Sequence, residues 1–213
     1  MKIKWIGHAC FVIGAKEGRI VTDPFEKDVP YDFPKIVADV VTVSHEHFDH
    51  NAVHRIVGDP GVVRKVGEET LNGIAFHGIG SYHDNEGGKQ RGKNVLFAYT
   101  LEGIRLAHLG DLGAPLDDAQ RKALKDVEVL FIPVGGHFTI DAKQAAEIAC
   151  SLPALRVVIP MHFRTERIGD WPIETVDPFA EMMDNVKRIG GSEVLITRET
   201  LPESLEVWIL DHA

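Results

Sequence analysis

The chain has 213 residues, of which 44% are hydrophobic and 26% charged, a composition typical of a globular protein that buries a sizeable core. The formal net charge of −9 argues against a nucleic-acid coat protein, because such proteins have a basic face. Cys10 and Cys150 lie far apart, which argues against a disulfide framework. No apolar run approaches the roughly 18 residues of a membrane-spanning helix, and no apolar leader segment is recognisable. We therefore expect a cytoplasmic protein that has no membrane partner.

Strands dominate the predicted elements of the first half, because apolar and β-branched runs alternate there with turn residues. The run before Gly58 and Pro60 instead predicts a short helix over Asn51–Val57. The predicted strands are Lys2–Gly7, Ala9–Ala15, Arg19–Asp23, Val40–Ser44, Val62–Val66, Ile74–Tyr82, Val95–Leu101 and Arg105–Leu109. A glycine-rich, basic loop over Asp84–Asn94 joins two of these strands.

Helices alternate with strands after Asp111. The predicted helices are Asp117–Leu124, Asp141–Cys150 and Asp177–Ile189, and the predicted strands are Val129–Pro133, Val157–Pro160, Val194–Thr197 and Leu205–Leu210. We expect Asp141 to cap the second helix and Gly190-Gly191 to end the third. The pattern predicts one α/β domain over residues 1–213, with two facing sheets and outer helices. Its two pseudo-repeated halves would be roughly 1–104 and 105–213.

A cluster of metal-binding residue types follows directly after the buried-strand pattern Val40–Ser44. His45, His47, Asp49 and His50 lie within six residues, at the end of a strand, where α/β proteins place their chemistry. Imidazole and carboxylate without thiolate suit zinc, iron, nickel or manganese and disfavour a closed structural zinc site. A charged loop that happens to contain three histidines is the alternative. It leaves unexplained three more polar residues that follow strand-like runs, namely His83, Asp111 and His162.

The string Ser44-His45-Glu46-His47-Phe48-Asp49-His50 resembles the signature of the metallo-β-lactamase superfamily. Four further stretches are similar to its ascorbate-6-phosphate-lactonase-like branch and occur in the expected order. They are Gly7-His8-Ala9-Cys10-Phe11, Thr22-Asp23-Pro24-Phe25, His108-Leu109-Gly110-Asp111 and Ile159-Pro160-Met161-His162-Phe163. The resemblance implies a four-layer αβ/βα sandwich of two facing mixed sheets, with the active site along the edge between them.

The resemblance also implies two divalent transition-metal ions, with zinc preferred and manganese, iron or nickel as alternatives. One ion would be held by His45, His47 and His83, and the other by Asp49, His50 and His162. Asp111 would bridge the two ions. For the third ligand of the first ion, His77, His108 and His137 are rivals of His83, which is preferred because it ends a strand and opens a loop.

Three further residues have two interpretations each. Asp23 would orient a ligand histidine, as carboxylates around metal sites do, or would act as a turn aspartate before Pro24. His8 would face the substrate or pack within the first hairpin. His137 lies in a strand-to-helix loop and is a candidate for substrate contact or proton donation.

Cations near the predicted ligands suggest an anionic substrate. Arg164 follows His162 by two residues, and Lys89, Arg91 and Lys93 lie in the loop after His83. Such side chains hold phosphate or carboxylate groups. For the three loop residues, a solvated loop is the alternative.

The resemblance implies that a hydroxide shared by the two metals hydrolyses an ester, lactone or phosphodiester bond of a small, anionic substrate. Asp111 would act by bridging the metals, and Asp49 by accepting the proton. Oxygen-reducing di-iron relatives have glutamate at the position of His47, so histidine there favours hydrolysis. A nuclease-like phosphodiesterase is one alternative, although the sequence has no basic stripe. A non-catalytic metal-binding or sensory protein is the other. We expect a small-molecule substrate and no nucleic acid.

Overall fold

The computed structural model describes residues 1–213 and consists mainly of β-strands. The strands are β1 (Lys2–Gly7), β2 (Cys10–Ala15), β3 (Gly18–Thr22), β4 (Ile36–Val37), β5 (Val40–Thr42), β6 (Ile56–Val57), β7 (Gly61–Val63), β8 (Gly67–Leu71), β9 (Ile74–Tyr82), β10 (Lys93–Leu101), β11 (Ile104–His108), β12 (Val129–Pro133), β13 (Val157–Met161), β14 (Val186–Arg188), β15 (Glu193–Leu195) and β16 (Glu206–Ile209). The helices are α1 (Asp118–Leu124), α2 (Ala142–Ser151) and α3 (Asp177–Glu181), and short 3-10 turns lie at Val53–Arg55 and Glu166–Ile168.

The strands form two large mixed sheets and one small pair. The six-stranded sheet has the order β15-β1-β2-β3-β5-β7, the eight-stranded sheet has the order β14-β16-β13-β12-β11-β10-β9-β8, and β4 pairs with β6. The six-stranded sheet is antiparallel from β15 to β3 and parallel from β3 to β7. The eight-stranded sheet is antiparallel from β8 to β11 and parallel from β11 to β14.

The two large sheets face each other across one apolar core. Phe11 of β2 packs on Phe131 of β12 with ring centroids 4.5 Å apart. Buried side chains from both sheets join a single cluster, whose removal from water is the main force that holds the sheets together. The predicted α/β architecture of two facing mixed sheets is confirmed.

The outer layers differ between the two sheets. Helix α2 packs against β12 and begins at the predicted cap, since Asp141 accepts a hydrogen bond from the Gln144 N–H. The outer face of the six-stranded sheet is covered by irregular chain, where Phe25 and Tyr31 pack with Ile168. The longest helix, α2, has 10 residues, and the structure has no helix with the length and apolar character needed to span a membrane.

Two predicted helices are wrong in whole or in part. Asn51–Val57 forms a 3-10 turn and then β6, which pairs with β4, because the β-branched Ile56 and Val57 suit an extended chain. In the predicted helix Asp177–Ile189, only residues 177–181 are helical. The chain turns at Asn185, with φ at 54°, and β14 then pairs with β16.

The predicted strand Val62–Val66 is also displaced, because the structure has β7 at Gly61–Val63 and a separate β8 at Gly67–Leu71. A two-residue turn, Asn72-Gly73, joins β8 to β9, and both turn residues have positive φ (51° and 76°). Asn-Gly with this geometry is the preferred tight hairpin turn, so the sequence did contain a signal for this hairpin.

The predicted division into two pseudo-repeated halves near residue 104 does not coincide with the division of the strands between the two sheets. β8, β9 and β10 precede it and belong to the eight-stranded sheet. β15 lies far beyond it and pairs with β1 in the six-stranded sheet, with Ile3 opposite Val194.

Candidate metal centre

The predicted site residues follow strand ends along one edge shared by the two sheets. In the six-stranded sheet, His8 comes directly after β1 and Asp23 directly after β3, and residues 45–50 come shortly after β5. In the eight-stranded sheet, His83 follows β9, Asp111 follows β11, and His162 follows β13. The two edges meet directly, because the His162 N–H donates to the His8 carbonyl over 3.2 Å. The predicted ligands of both sheets are therefore brought together.

Three of these residues have left-handed backbone immediately after a strand. φ is 53° at His8, 39° at Asp23 and 51° at His162. Positive φ is uncommon for residues other than glycine and costs on the order of 1–3 kcal/mol where it occurs. Such strain concentrates at functional sites, which agrees with the position of all three residues at the junction of the sheets.

Asp111 lies at the centre of the cluster and is 1% exposed. Four imidazole Nε2 atoms surround its Oδ2 atom, at 3.2 Å for His50, 3.2 Å for His83, 3.3 Å for His162 and 3.9 Å for His45. Burial opposes ionisation of this carboxyl group, but His162 and His50 hold its pKa well below the usual range. In the same way, Asp111 and Asp49 raise the pKa of His50 well above its usual value, against the effect of burial.

The ligand atoms fall into groups that meet at Asp111. The ligand atoms of His45, His47 and His83 lie within 4.8 Å of one another. Asp49, His50 and His162 form a second such group, which His8 also joins. Asp111 groups with His45 and His50, one histidine from each set. His47 is exposed and Asp49 is partly exposed, so both sets open toward solvent.

One buried carboxylate, Asp23, orients ligand candidates of both sets. Its Oδ2 accepts hydrogen bonds from His50 Nδ1 over 2.9 Å and from Ser44 Oγ over 2.6 Å. The Ser44 hydroxyl can then only accept from His45 Nδ1, which lies 2.9 Å away. The Nδ1 atoms of His50 and His45 are thus engaged, and their Nε2 atoms face Asp111, where each ring could offer an Nε2 lone pair once a cation replaces any proton there. A cation between these groups satisfies both, and this donor set fits a metal ion.

His8 lies behind the second set. It is fully buried, and its Nε2 lies 3.2 Å from Asp49 Oδ2. Burial, and then the proximity of His162, lowers the pKa of His8 to about 4. A neutral His8 that donates to Asp49 supports this carboxylate from the protein side of the site.

Asn94 fixes the backbone at Asp111, a role that the sequence did not reveal. Its Oδ1 accepts the Asp111 N–H over 3.0 Å, and its amide donates to the Leu109 carbonyl over 3.0 Å. Gly110 between them has φ at 51°, and a Cβ there would lie 2.4 Å from Asn94 Oδ1. The role of Ser44 in orienting His45 was also not predicted, although its position directly before His45 could have indicated a contact with that ring.

Of the four histidines considered for one ligand position, only His83 reaches the cluster. His77 lies in β9 near Glu68, with a 3.7 Å separation. His108 is buried, and its ring nitrogens are taken by the Ala9 carbonyl at 2.9 Å and the Gly110 N–H at 3.2 Å. His137 is exposed, packs on Phe138 and belongs to none of the ligand groups, so its role in substrate contact or proton donation stays a prediction.

A cavity of about 570 Å³ opens over the cluster. Phe48, Phe138 and Trp171 contribute its aromatic surface, and Arg91 and Asp170 contribute charge.

The predicted anion-binding residue Arg164 does not line this cavity. The chain turns at the left-handed His162, and Arg164 lines a separate cavity of about 660 Å³ beside Trp5. Among the loop cations, Lys89 and Lys93 are exposed and do not line the cavity over the cluster.

Comparison with known proteins agrees with this geometry. Residues 2–162 match the model of the β-lactamase superfamily domain. A UPF0173 metal-dependent hydrolase of Thermococcus onnurineus is 27% identical over 93% of this chain and 96% of its own length. A UPF0173 protein of Pyrococcus furiosus is 30% identical over 80% of this chain and 87% of its own length. A solved structure from Thermotoga maritima, described as a candidate Zn-dependent hydrolase of the metallo-β-lactamase superfamily, is 36% identical. It covers 100% of this chain and 99% of its own length, with a TM-score of 0.84. The chain belongs to the metallo-β-lactamase superfamily.

Proposed function

We propose that the protein is a metal-dependent hydrolase that cleaves an ester, lactone or phosphodiester bond in a small molecule. The observation that carries this proposal is the convergence of four imidazole nitrogens on one oxygen of Asp111, beneath an open cavity. The family membership supports it, as do relatives that are named metal-dependent hydrolases.

The proposed site holds two divalent transition-metal ions. His45, His47 and His83 would hold one ion, Asp49, His50 and His162 would hold the other, and Asp111, which groups with a histidine of each set, would serve both. Nitrogen and carboxylate donors without thiolate suit zinc, manganese, iron or nickel, and zinc is the metal we propose. When bound, two such ions lower the pKa of a water molecule toward neutrality and polarise the substrate oxygen.

Asp49 positions the attacking water. His50 and His8 keep its pKa below the usual value despite burial, so the carboxylate is charged at neutral pH. Its Oδ2 faces His8 at 3.2 Å, which leaves Oδ1 to accept a hydrogen bond from water and then its proton. Asp23 keeps the rings of His50 and His45 in the required tautomer, directly and through Ser44.

The aromatic residues of the cavity bind the organic part of the substrate. Phe48, Phe138 and Trp171 line it, and Trp171 packs edge-on against His8 with ring centroids 5.4 Å apart. An apolar wall beside a few polar groups is the usual composition of a small-molecule site.

The test combines metal analysis with turnover. Plasma mass spectrometry of the unchelated protein is expected to find about two transition-metal ions per chain, with hydrolysis of 4-nitrophenyl acetate, a lactone or bis(4-nitrophenyl) phosphate. Asp111→Asn is expected to lose both metal and turnover. Asp170→Asn is the matched control for metal content, because Asp170 lines the same cavity outside the ligand groups. A protein that takes up no zinc, manganese or iron refutes the proposal, as does an Asp111→Asn variant with full metal and activity.

A further inference from the structure

We propose that Arg91 binds an anionic group of the substrate, a carboxylate or a phosphate, and thereby sets the preference of the enzyme for anionic substrates. This inference rests on the proposed function, since it names the class of molecule that the same cavity accepts. It also moves the anion-binding role from Arg164, which lines another cavity, to a residue that faces the metal cluster.

Arg91 is the only lysine or arginine that lines the cavity over the cluster. Its guanidinium lies over the ring of Phe138, 5.4 Å from the centroid, and forms no ion pair. Other surface arginines do pair with carboxylates, for example Arg64 with Glu46 at 2.7 Å and Arg167 with Asp32 at 3.0 Å. The guanidinium donors of Arg91 are therefore free for a ligand, and the cation–π contact with Phe138 holds the group at the cavity.

The loop that carries Arg91 is held firmly. The buried carboxylate of Asp84 accepts four backbone N–H groups at 2.8–2.9 Å, from Glu86, Gly88, Gln90 and Arg91. The same loop closes on the metal cluster, because the His83 N–H donates to the Gly92 carbonyl over 3.0 Å. Arg91 is thus positioned relative to a proposed metal ligand, and a preorganised group loses less freedom when it binds.

Further positive charge lies next to Arg91. A groove of about 520 Å³ adjoins the cavity, shares Glu46, His47 and Arg91 with it, and is also lined by Arg64 and Lys93. Arg64 is paired with Glu46, which also lines the groove, so Lys93 is the cation that adds to Arg91 in attracting an anion there. The substrate class is a small molecule whose scissile bond lies at the metals and whose separate anionic group lies at Arg91, with its apolar part against Phe138.

Isothermal titration calorimetry with three aromatic probes tests the inference. Benzoate, phenylphosphonate and the neutral benzamide are titrated into the metal-loaded wild type and into Arg91→Gln, Arg91→Lys and Lys89→Gln. We expect Arg91→Gln to weaken binding of at least one anion about 10- to 100-fold and to leave benzamide unchanged, because a charge-assisted paired hydrogen bond is lost. Arg91→Lys should recover part of the loss. Lys89→Gln, in the same loop but exposed, should behave as the wild type.

The comparison of variants isolates the contribution of Arg91 to anion affinity. Any contact between the anions and the metals is common to all four proteins and cancels in the comparison. A larger loss for benzoate identifies a carboxylate, and a larger loss for phenylphosphonate identifies a phosphate. Equal anion affinity in the wild type and Arg91→Gln overturns the inference, and so does an equal loss for benzamide. Failure of the proposed function is read separately, from the metal content and ester turnover of the wild type.

Discussion

Replacement of Asp23 by asparagine removes a carboxylate that is fully buried and accepts three hydrogen bonds. The donors are the Ser44 N–H at 2.8 Å, the Ser44 hydroxyl at 2.6 Å and His50 Nδ1 at 2.9 Å. An asparagine amide has one oxygen, so in either orientation its NH2 group faces a donor, the Ser44 N–H or His50 Nδ1. Each buried donor left without a partner costs about 1–3 kcal/mol, and the charge opposite His50 is also lost. We expect the free energy of unfolding to fall by about 3 kcal/mol.

The same change should weaken metal binding about 10- to 100-fold, because the groups that orient metal-binding histidines have effects of this size. Urea denaturation of the metal-free protein, followed by tryptophan fluorescence, measures the stability. Competition with a chelating dye measures the zinc affinity.

Asp39→Asn is the matched control. Asp39 also accepts a backbone N–H, from Arg19 at 2.7 Å, but it is exposed and precedes β5, whereas the cluster follows this strand. We expect this variant to lose less than about 1 kcal/mol. If Asp23→Asn loses no more stability than Asp39→Asn and binds zinc as the wild type does, the assigned role of Asp23 is refuted.

Two further predictions concern stability. Gly110→Ala should lose about 2–4 kcal/mol, because its Cβ would lie 2.4 Å from Asn94 Oδ1. Gly103→Ala, also at positive φ but with open space around it, should lose only about 1 kcal/mol, and equal losses in urea denaturation would contradict this reasoning. In the chelator-treated protein, stability should fall as pH decreases below about 6.5. The unfolded chain then takes up protons on His8 and His45, whose folded pKa values are lowered to about 4 and about 3, chiefly by burial. A urea series from pH 7.5 to 4.5 measures this, and stability that rises on acidification would show that the histidines are not buried in the neutral form.

The sequence was sufficient to predict in outline which residues converge in the candidate metal centre. The spacing from His45 to His50 identified the cluster. The position of Asp111 and His162 after strand-like runs placed them at the same edge, since parallel strands end together. His83 was preferred on the same ground, and it reaches Asp111 at 3.2 Å.

Features that depend on tertiary contacts were not predictable in this way. Val186–Arg188 follows a helix-like pattern, but its pairing with β16 makes it a strand, and no local pattern reports that partner. Arg164 is close to His162 in sequence, yet a left-handed turn directs it to another cavity. Arg91 is more distant along the chain, and the backbone bonds to Asp84 bring it to the cluster. Sequence separation is a poor guide wherever a turn or a loop sets the direction of a side chain.

The pairing of β1 with β15 has a consequence for biosynthesis. The ribosome releases Ile3 nearly two hundred residues before Val194, its partner in the sheet, and the candidate ligands extend from His45 to His162 across both sheets. β1 can pair with β2 early, but its other edge gains a partner only when β15 has been made, and such distant pairing slows folding. Because the candidate ligands extend to His162, the proposed site could form only after strands of both sheets have been synthesised, and metal uptake would then be coupled to late folding.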